Sequence, residues 1–425
     1  MSQVQTCEFD SIILGAGPAG ATAAAVLAEK GRNVVVLERD KFPRYHIGES
    51  LMPYCYFPLE RLGLVETITN SHFPKKYSVQ FVNTNGKVSQ PFYFFQHNDH
   101  PSSTTWQVVR SEFDNMILDK ARQNGATVHE ETTARELIWE NGAVVGVRAT
   151  TASGEAREYR APITIDATGR DALAVTRNGW KVRDPYLNKI AIWTYYRNAA
   201  RDPGLDEGAT TVAYLPERGW FWYIPLPDNI VSVGIVAEKD YLYRDTREIG
   251  EIFQREIAAN SWIQEHLAPG EQFGRYWVTG EYSYRSQHCA ADGLILAGDA
   301  FAFLDPVFSS GVFLALRSGE LAAEAADAAL TAQDFTAAQF APYGEHLCSG
   351  IEAMRKLVYA FYDQEFSFRE FLMANPTLKG DLTDCLIGNL FRDFDPLFGA
   401  LADFAKLPAA LPHGGPVTAP QLVER

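Results

Sequence analysis

Four short segments of this chain carry side chains able to do chemistry. Lys75-Lys76 follows Phe73-Pro74 and opens an alternating run through Phe81. On a strand the two lysines point to opposite faces, so only one, Lys76, is expected to face a cavity, where an ammonium donates hydrogen bonds and a free amine accepts an electrophile. Glu49, between Gly48 and Ser50, is a carboxylate that supports a neighbouring cation, tunes a cofactor or caps the helix that follows. Ser309-Ser310-Gly311 follows Pro306 and precedes a helix-compatible run from Val312 to Leu330. Backbone amides at such a helix start hold a small anion, and either serine is equally able to cap the helix. Trp220-Phe221-Trp222-Tyr223-Ile224-Pro225 puts Trp220 and Trp222 on one face of an extended segment, as a cavity wall or as two core residues closing a sheet.

The element that must position these groups is legible at the N-terminus. Phe9 to Leu14 reads as a strand, Gly15-Ala16-Gly17-Pro18-Ala19-Gly20 as a tight turn, Ala21 to Lys30 as a helix, and Val34 to Glu38 as a second strand. Gly15 permits the turn, Gly17 lets backbone approach a pyrophosphate, and Gly20 lets helix pack on strand. Glu38 lies 38 − 20 = 18 residues past Gly20, where an acid accepts ribose hydroxyls. No second glycine fingerprint follows a strand, so no dedicated nicotinamide unit is visible.

Two later segments, Ala161 to Arg170 with Asp166-Ala167-Thr168-Gly169 and Gly293 to Leu304 with Gly298-Asp299, resemble the glutathione-reductase-like FAD fold of aromatic hydroxylases. The fold class expected from that resemblance is α/β (α+β). It has a Rossmann FAD-binding part, an interleaved mixed or antiparallel substrate-side sheet and a small C-terminal helical cap. The FAD part would draw on 1–75, 105–180 and 285–345, the sheet on 76–104 and 181–284, the cap on 346–407, and 408–425, with four prolines, reads as a disordered tail. Asp299 then corresponds to the ribityl-binding aspartate, and Arg110 to an arginine near the cofactor. The alternative for Arg110 is a surface arginine starting a helix.

Four segments together, Lys41 to Pro53, Phe73 to Phe81, Trp220 to Pro225 and Asp305 to Gly311, closely resemble flavin-dependent halogenases over about residues 8–345, in the branch acting on phenols and pyrroles. That resemblance implies that FAD, reduced by a separate flavin reductase, and oxygen oxidise chloride or bromide to hypohalous acid. Lys76 delivers the halogen, with Glu49 beside it. Ser310 and Gly311 supply the halide amides, and Trp220, Trp222 and Pro225 form the barrier between flavin and substrate. Cofactor contacts carry over to Gly15, Gly17, Ala19, Gly20, Glu38, Arg44, Ser50, Arg110, Asp299, Pro306, Gly311 and Val312. Ser78 and Val79 stand where the family has Gly and Ala. The closest pattern, Phe73 to Lys76 with a short C-terminal cap, is that of enzymes acting on rings tethered to an acyl or peptidyl carrier protein. The same scaffold also suits an FAD-dependent monooxygenase or a geranylgeranyl-reductase-like oxidoreductase without halogen chemistry, or a flavin-fold escort module.

Composition agrees with an ordinary globular chain: 425 residues, 46% hydrophobic and 21% charged. A net charge of −15 argues against nucleic acid and anionic membrane partners. Five scattered cysteines without a CxxC pair argue against metal sites and a disulfide framework and fit a reducing cytoplasm. No apolar run reaches membrane-spanning length, and the N-terminus lacks a signal-peptide pattern.

Overall fold

The computed structural model describes residues 5–280 and 283–417. Its first sheet has six strands in the order Ala290–Ala291, Leu294–Leu296, Ile163–Asp166, Ser11–Leu14, Val34–Leu37 and Thr127–His129. All neighbours are parallel except the first pair. Ser11–Leu14, Val34–Leu37 and Ile163–Asp166 are buried at every position, as continuous apolar strands covered on both faces must be. Helix Pro18–Glu29 starts on a proline, whose missing N–H costs nothing there. It is buried from Pro18 to Ala28 because it packs against Arg110–Gln123 and Ser310–Ala332 as well as the sheet. The glycine turn has the geometry its sequence implies. Gly15 sits at φ +90°, and a methyl on Gly20 would overlap the Gly15 carbonyl oxygen.

The second sheet has seven strands, ordered Glu271–Gly280, Lys189–Arg197, Ile230–Glu238, Gly219–Leu226, Thr210–Leu215, Ser78–Val82 and Phe92–Tyr93. Strand Gly219–Leu226 is buried throughout. Its alternation divides two cores: Trp220, Trp222 and Ile224 join the core shared with the first sheet. Phe221 and Tyr223 join a separate core with helices Ile249–Ala258 and Ser261–Leu267. Pro91 precedes the outermost strand, a place where a missing N–H is tolerated.

Lys75–Lys76 pairs antiparallel with Thr105–Trp106. The C-terminal helices are Ala341–Tyr362, Phe368–Ala374, Lys379–Ile387 and Asp395–Leu401, so the helical region begins before 346.

The tail differs from its expectation of disorder. Within 408–417 the backbone is tied down by Gly414 N–H to Gln287 O (2.8 Å), Cys289 N–H to Gly415 O (3.0 Å) and Val417 N–H to Ala290 O (2.8 Å). Arg285 and Arg355 donate to its carbonyls at Leu411, His413 and Ala409. Prolines remove periodicity without removing these acceptors, which is why composition misread the segment. Residues 418–425, the rest of that expectation, lie outside the described residues. Among the described residues no helix is long and apolar enough to cross a membrane, and no cluster of metal-ligating side chains occurs.

Candidate functional site

A cavity of about 660 Å³ runs from the glycine turn to the start of helix Ser310–Ala332. At one end it is lined by Gly15, Gly17, Ala19, Glu38 and Arg44. Gly20 is not a lining residue, since its role is the close packing of helix on turn. Glu38 accepts Ala16 N–H and Asp40 N–H, both at 2.8 Å, so the carboxylate expected to meet ribose also holds the turn to the strand end.

Further in, Arg110 and Asp299 line the cavity. Arg110 is no surface arginine: it is 5% exposed and pairs with Asp114 (2.7 Å), while Arg44 donates to the same carboxylate (2.9 Å). Burial alone would raise the Asp114 pKa, but the two guanidiniums prevail and hold it below its usual range. Asp114 was legible in principle as the i+4 partner of Arg110 on one helix face. Burial pushes Asp299 up to about 6 against the opposing charges of Arg170 and Arg110. Its carboxyl has no hydrogen-bond partner among the described residues, an acceptor left open where a sugar alcohol would pass. An elongated cavity with a glycine cradle, an acid at the strand end and this open acceptor fits FAD.

At the far end Pro306, Ser309, Gly311 and Val312 line the wall. Ser309 adopts φ +57° and makes no side-chain cap, so the capping alternative is not realised and the first-turn amides are left for an anion. The Ser310 side chain is 1% exposed and does not line the cavity, which leaves only its backbone for that purpose.

Trp220 and Trp222 line the cavity, whereas Pro225 does not. Trp220 Nε1 donates to Tyr362 OH (2.8 Å), which donates to Asp305 Oδ2 (2.9 Å). Trp222 Nε1 donates to Ser232 Oγ (3.1 Å). Opposite Trp222 in register is Gly234, where a methyl would overlap three atoms of the indole.

Lys76 is 2% exposed and does not itself line the cavity. Its Nζ donates to Ser50 Oγ (2.9 Å) and Leu51 O (3.1 Å), and Ser50 Oγ is 2.7 Å from Thr210 Oγ1 on the cavity wall. Among the described residues no carboxylate pairs with it, and burial lowers its pKa to about 7. Lys75 is exposed, as the strand period requires. Ser78 Oγ donates to Asp206 Oδ1 (2.8 Å), which settles the hydroxyl where the resembled family has a glycine.

Glu49 lines the cavity at 4% exposure, and burial lifts it to about 7. Its Oε1 accepts from Tyr195 OH (2.8 Å). Its Oε2 has no partner in hydrogen-bond geometry, although the Ser232 hydroxyl lies near enough to favour the charged form. His46 also lines the cavity, and burial with Arg110 lowers it to about 4. Tyr195 and its neighbour Tyr45 carried no sequence signal, being about 150 residues apart.

The tryptophan halogenase family model matches residues 10–102 and 84–369. A 1H-pyrrole-2-carbonyl-(peptidyl-carrier protein) chlorinase of Pseudomonas fluorescens is 28% identical over 408 residues, covering 90% of either chain. The corresponding brominase of Pseudoalteromonas luteoviolacea is 30% identical over 393 residues, covering 90% of this chain and 92% of the relative. The solved flavin-dependent brominase Bmp2 superposes with a TM-score of 0.85 at 27% identity, over 93% of this chain and 98% of the other.

Proposed function

Because the chain belongs to the tryptophan halogenase family and is thereby an FAD-dependent halogenating enzyme using chloride or bromide, we propose that its substrate is an electron-rich ring, a pyrrole-2-carbonyl group held on a carrier protein. The observation that carries this reading is the near-full-length likeness, through the C-terminal helices, to two relatives whose names state that substrate. When bound, reduced FAD supplies the electrons and activated oxygen that turn halide into hypohalous acid. A separate flavin reductase would provide the reduced cofactor.

The chain's own residues then have distinct tasks. Gly15, Gly17, Ala19 and Glu38 would hold the nucleotide end, with Gly20 shaping the turn. Arg44, Ser50, Arg110, Asp299, Pro306 and Val312 would hold the remainder. The amides of Ser310 and Gly311 would keep halide at the positive helix end without a competing carboxylate. Trp220 and Trp222, with Pro225 further along the same strand, would keep the ring away from the flavin. Lys76, behind Ser50, would meet hypohalous acid beyond that wall. With a pKa near 7 it offers an ammonium to the hypohalite oxygen or an amine to the halogen. Glu49, on the cavity wall, would serve as a proton-exchanging group there.

The test is mass spectrometry of protein supplied with FAD, NADH, an unrelated flavin reductase and bromide, together with pyrrole-2-carbonyl carrier, free pyrrole-2-carboxylate or a simple phenol. Bromination of the carrier-bound ring in preference to both free compounds is the expected outcome. Bromination of free compounds alone would sink the carrier assignment.

A further inference from the structure

The last two residues of helix Ala341–Tyr362 each touch both the barrier strand and the turn before the halide amides. Tyr362 OH accepts from Trp220 Nε1 at 2.8 Å and donates to Asp305 Oδ2 at 2.9 Å. Asp305 precedes Pro306, and its Oδ1 accepts Val307 N–H at 3.1 Å, so the same carboxylate holds the turn that leads into Ser309-Ser310-Gly311. The Phe361 ring meets Phe308 of that turn edge-on at 5.8 Å and stacks on Tyr214 at 5.3 Å. Tyr214 is the ladder partner of Trp220. One helix end thus bridges the barrier and the halide turn twice, once by hydrogen bonds and once by rings.

An indole N–H only donates, a carboxylate only accepts, and the phenol does both with its single proton, so the line from Trp220 through Tyr362 to Asp305 runs in one sense. Both ends are buried, where losing a partner costs the desolvation of the group left behind. Burial lifts Asp305 to about 6, against the Tyr362 and Val307 bonds and the Lys189 charge. Lys189 is itself buried and paired with Glu238 at 2.8 Å, and its Nζ lies 4.6 Å from the centre of the Tyr362 ring. The phenol is therefore confined on its face as well as at its hydroxyl. Neither Tyr362 nor Asp305 lines the cavity, whereas Trp220, Pro306 and Val307 do. Whatever the pair does to the reaction it does through those residues.

We propose that Tyr362 is a positioning residue that couples the halide turn to the barrier, so that halide held at the Ser310 and Gly311 amides fixes the setting of the Trp220 indole. The hydroxyl transmits the coupling because it is bonded to both partners at once. Asp305 carries it to the turn through Val307, and the Phe361 contacts keep the helix end seated while it does so. The C-terminal helix thereby has a task in the chemistry besides covering the cavity: an indole that yields would loosen the turn, and a loose turn would hold halide less well.

The coupling rests on the halogenase reading and not on the identity of the ring. Tyr362→Phe removes one hydroxyl and keeps the ring with its neighbours. In FAD-loaded protein carrying ¹⁵N-indole tryptophan, with Trp220→Phe for assignment, bromide is expected to shift the Trp220 N–H signal in wild type and to leave it unmoved in Tyr362→Phe. With FAD, reductase, bromide and a simple phenol, Tyr362→Phe is expected to raise the bromide KM about tenfold while kcat at saturating bromide stays within about threefold. In a Trp220→Phe background the same substitution is expected to change that KM by less than about twofold, because the bond it removes is already gone. A role confined to stability would not split KM from kcat, and its effect would add to that of Trp220→Phe. A Trp220 signal unmoved by bromide in wild type, one that moves equally in Tyr362→Phe, or equal KM increases in both backgrounds overturns the coupling. If wild type yields no bromophenol, the activity reading fails, and the indole titration alone decides the coupling.

Discussion

Lys76→Met is expected to abolish halogenation while leaving FAD bound, and to raise the thermal midpoint near neutral pH. The lysine is 2% exposed, its ammonium has two neutral hydrogen-bond acceptors, and among the described residues no carboxylate pairs with it. A pKa lowered from 10.5 to about 7 by burial means that folding at pH 7 works against protonation. The cost is on the order of 4 kcal/mol. The folded value lies below the unfolded one, so the penalty is complete below about pH 7, shrinks as pH rises, and vanishes above about 10.5. Methionine fits a similar volume without a charge. It leaves Ser50 Oγ and Leu51 O without their donor, which returns about 1–3 kcal/mol. A net gain of roughly 1–3 kcal/mol remains, worth a few degrees. Product yield is expected to drop at least about a hundredfold. Calorimetry at pH 7 and pH 10 should show the stability gain at the lower pH only. A variant that keeps wild-type product yield would remove Lys76 from the mechanism.

Gly234→Ala is expected to disturb the flavin side of the barrier as strongly as losing a tryptophan would. Gly234 stands opposite Trp222 in the ladder, and a methyl there would overlap three ring atoms. The indole is rigid, 7% exposed and tied by Nε1 to Ser232, so it has to swing off the sheet into the cavity it lines. The expected results are a loss of about 1–3 kcal/mol in stability, at least a tenfold weaker FAD affinity by absorbance titration, and less halogenated product per NADH consumed. Unchanged affinity and coupling would show that the indole is free to settle elsewhere.

The two predictions differ in how far the chain itself announced them. The Trp220–Pro225 spacing was visible at once, and its strand period placed Trp220 and Trp222 together. The neighbour that lacks a side chain to make room for Trp222 is twelve residues further on, across a hairpin. The strand period put Lys75 and Lys76 on opposite faces but gave no surroundings for either. Only Lys75 is exposed, because Lys76 turns inward against Ser50 and Leu51. For residues 408–417 the expectation of disorder failed for the opposite reason: a proline-rich stretch of low periodicity is held through its backbone carbonyls, which composition does not record.

By itself the sequence determined the glycine turn with its flanking strand and helix, the acid at Glu38, a helix following Ser309-Ser310-Gly311 and the alternation around Trp220. Each depends on steric and hydrogen-bonding demands among residues close in the chain. The tertiary structure alone decided that Lys76 is buried, with no carboxylate partner among the described residues. It also decided that Arg110 and Arg44 share Asp114, and that Tyr45 and Tyr195 meet behind Glu49. Those properties follow from desolvation and from contacts between segments far apart in the chain, and both exist only once the two sheets have closed on each other.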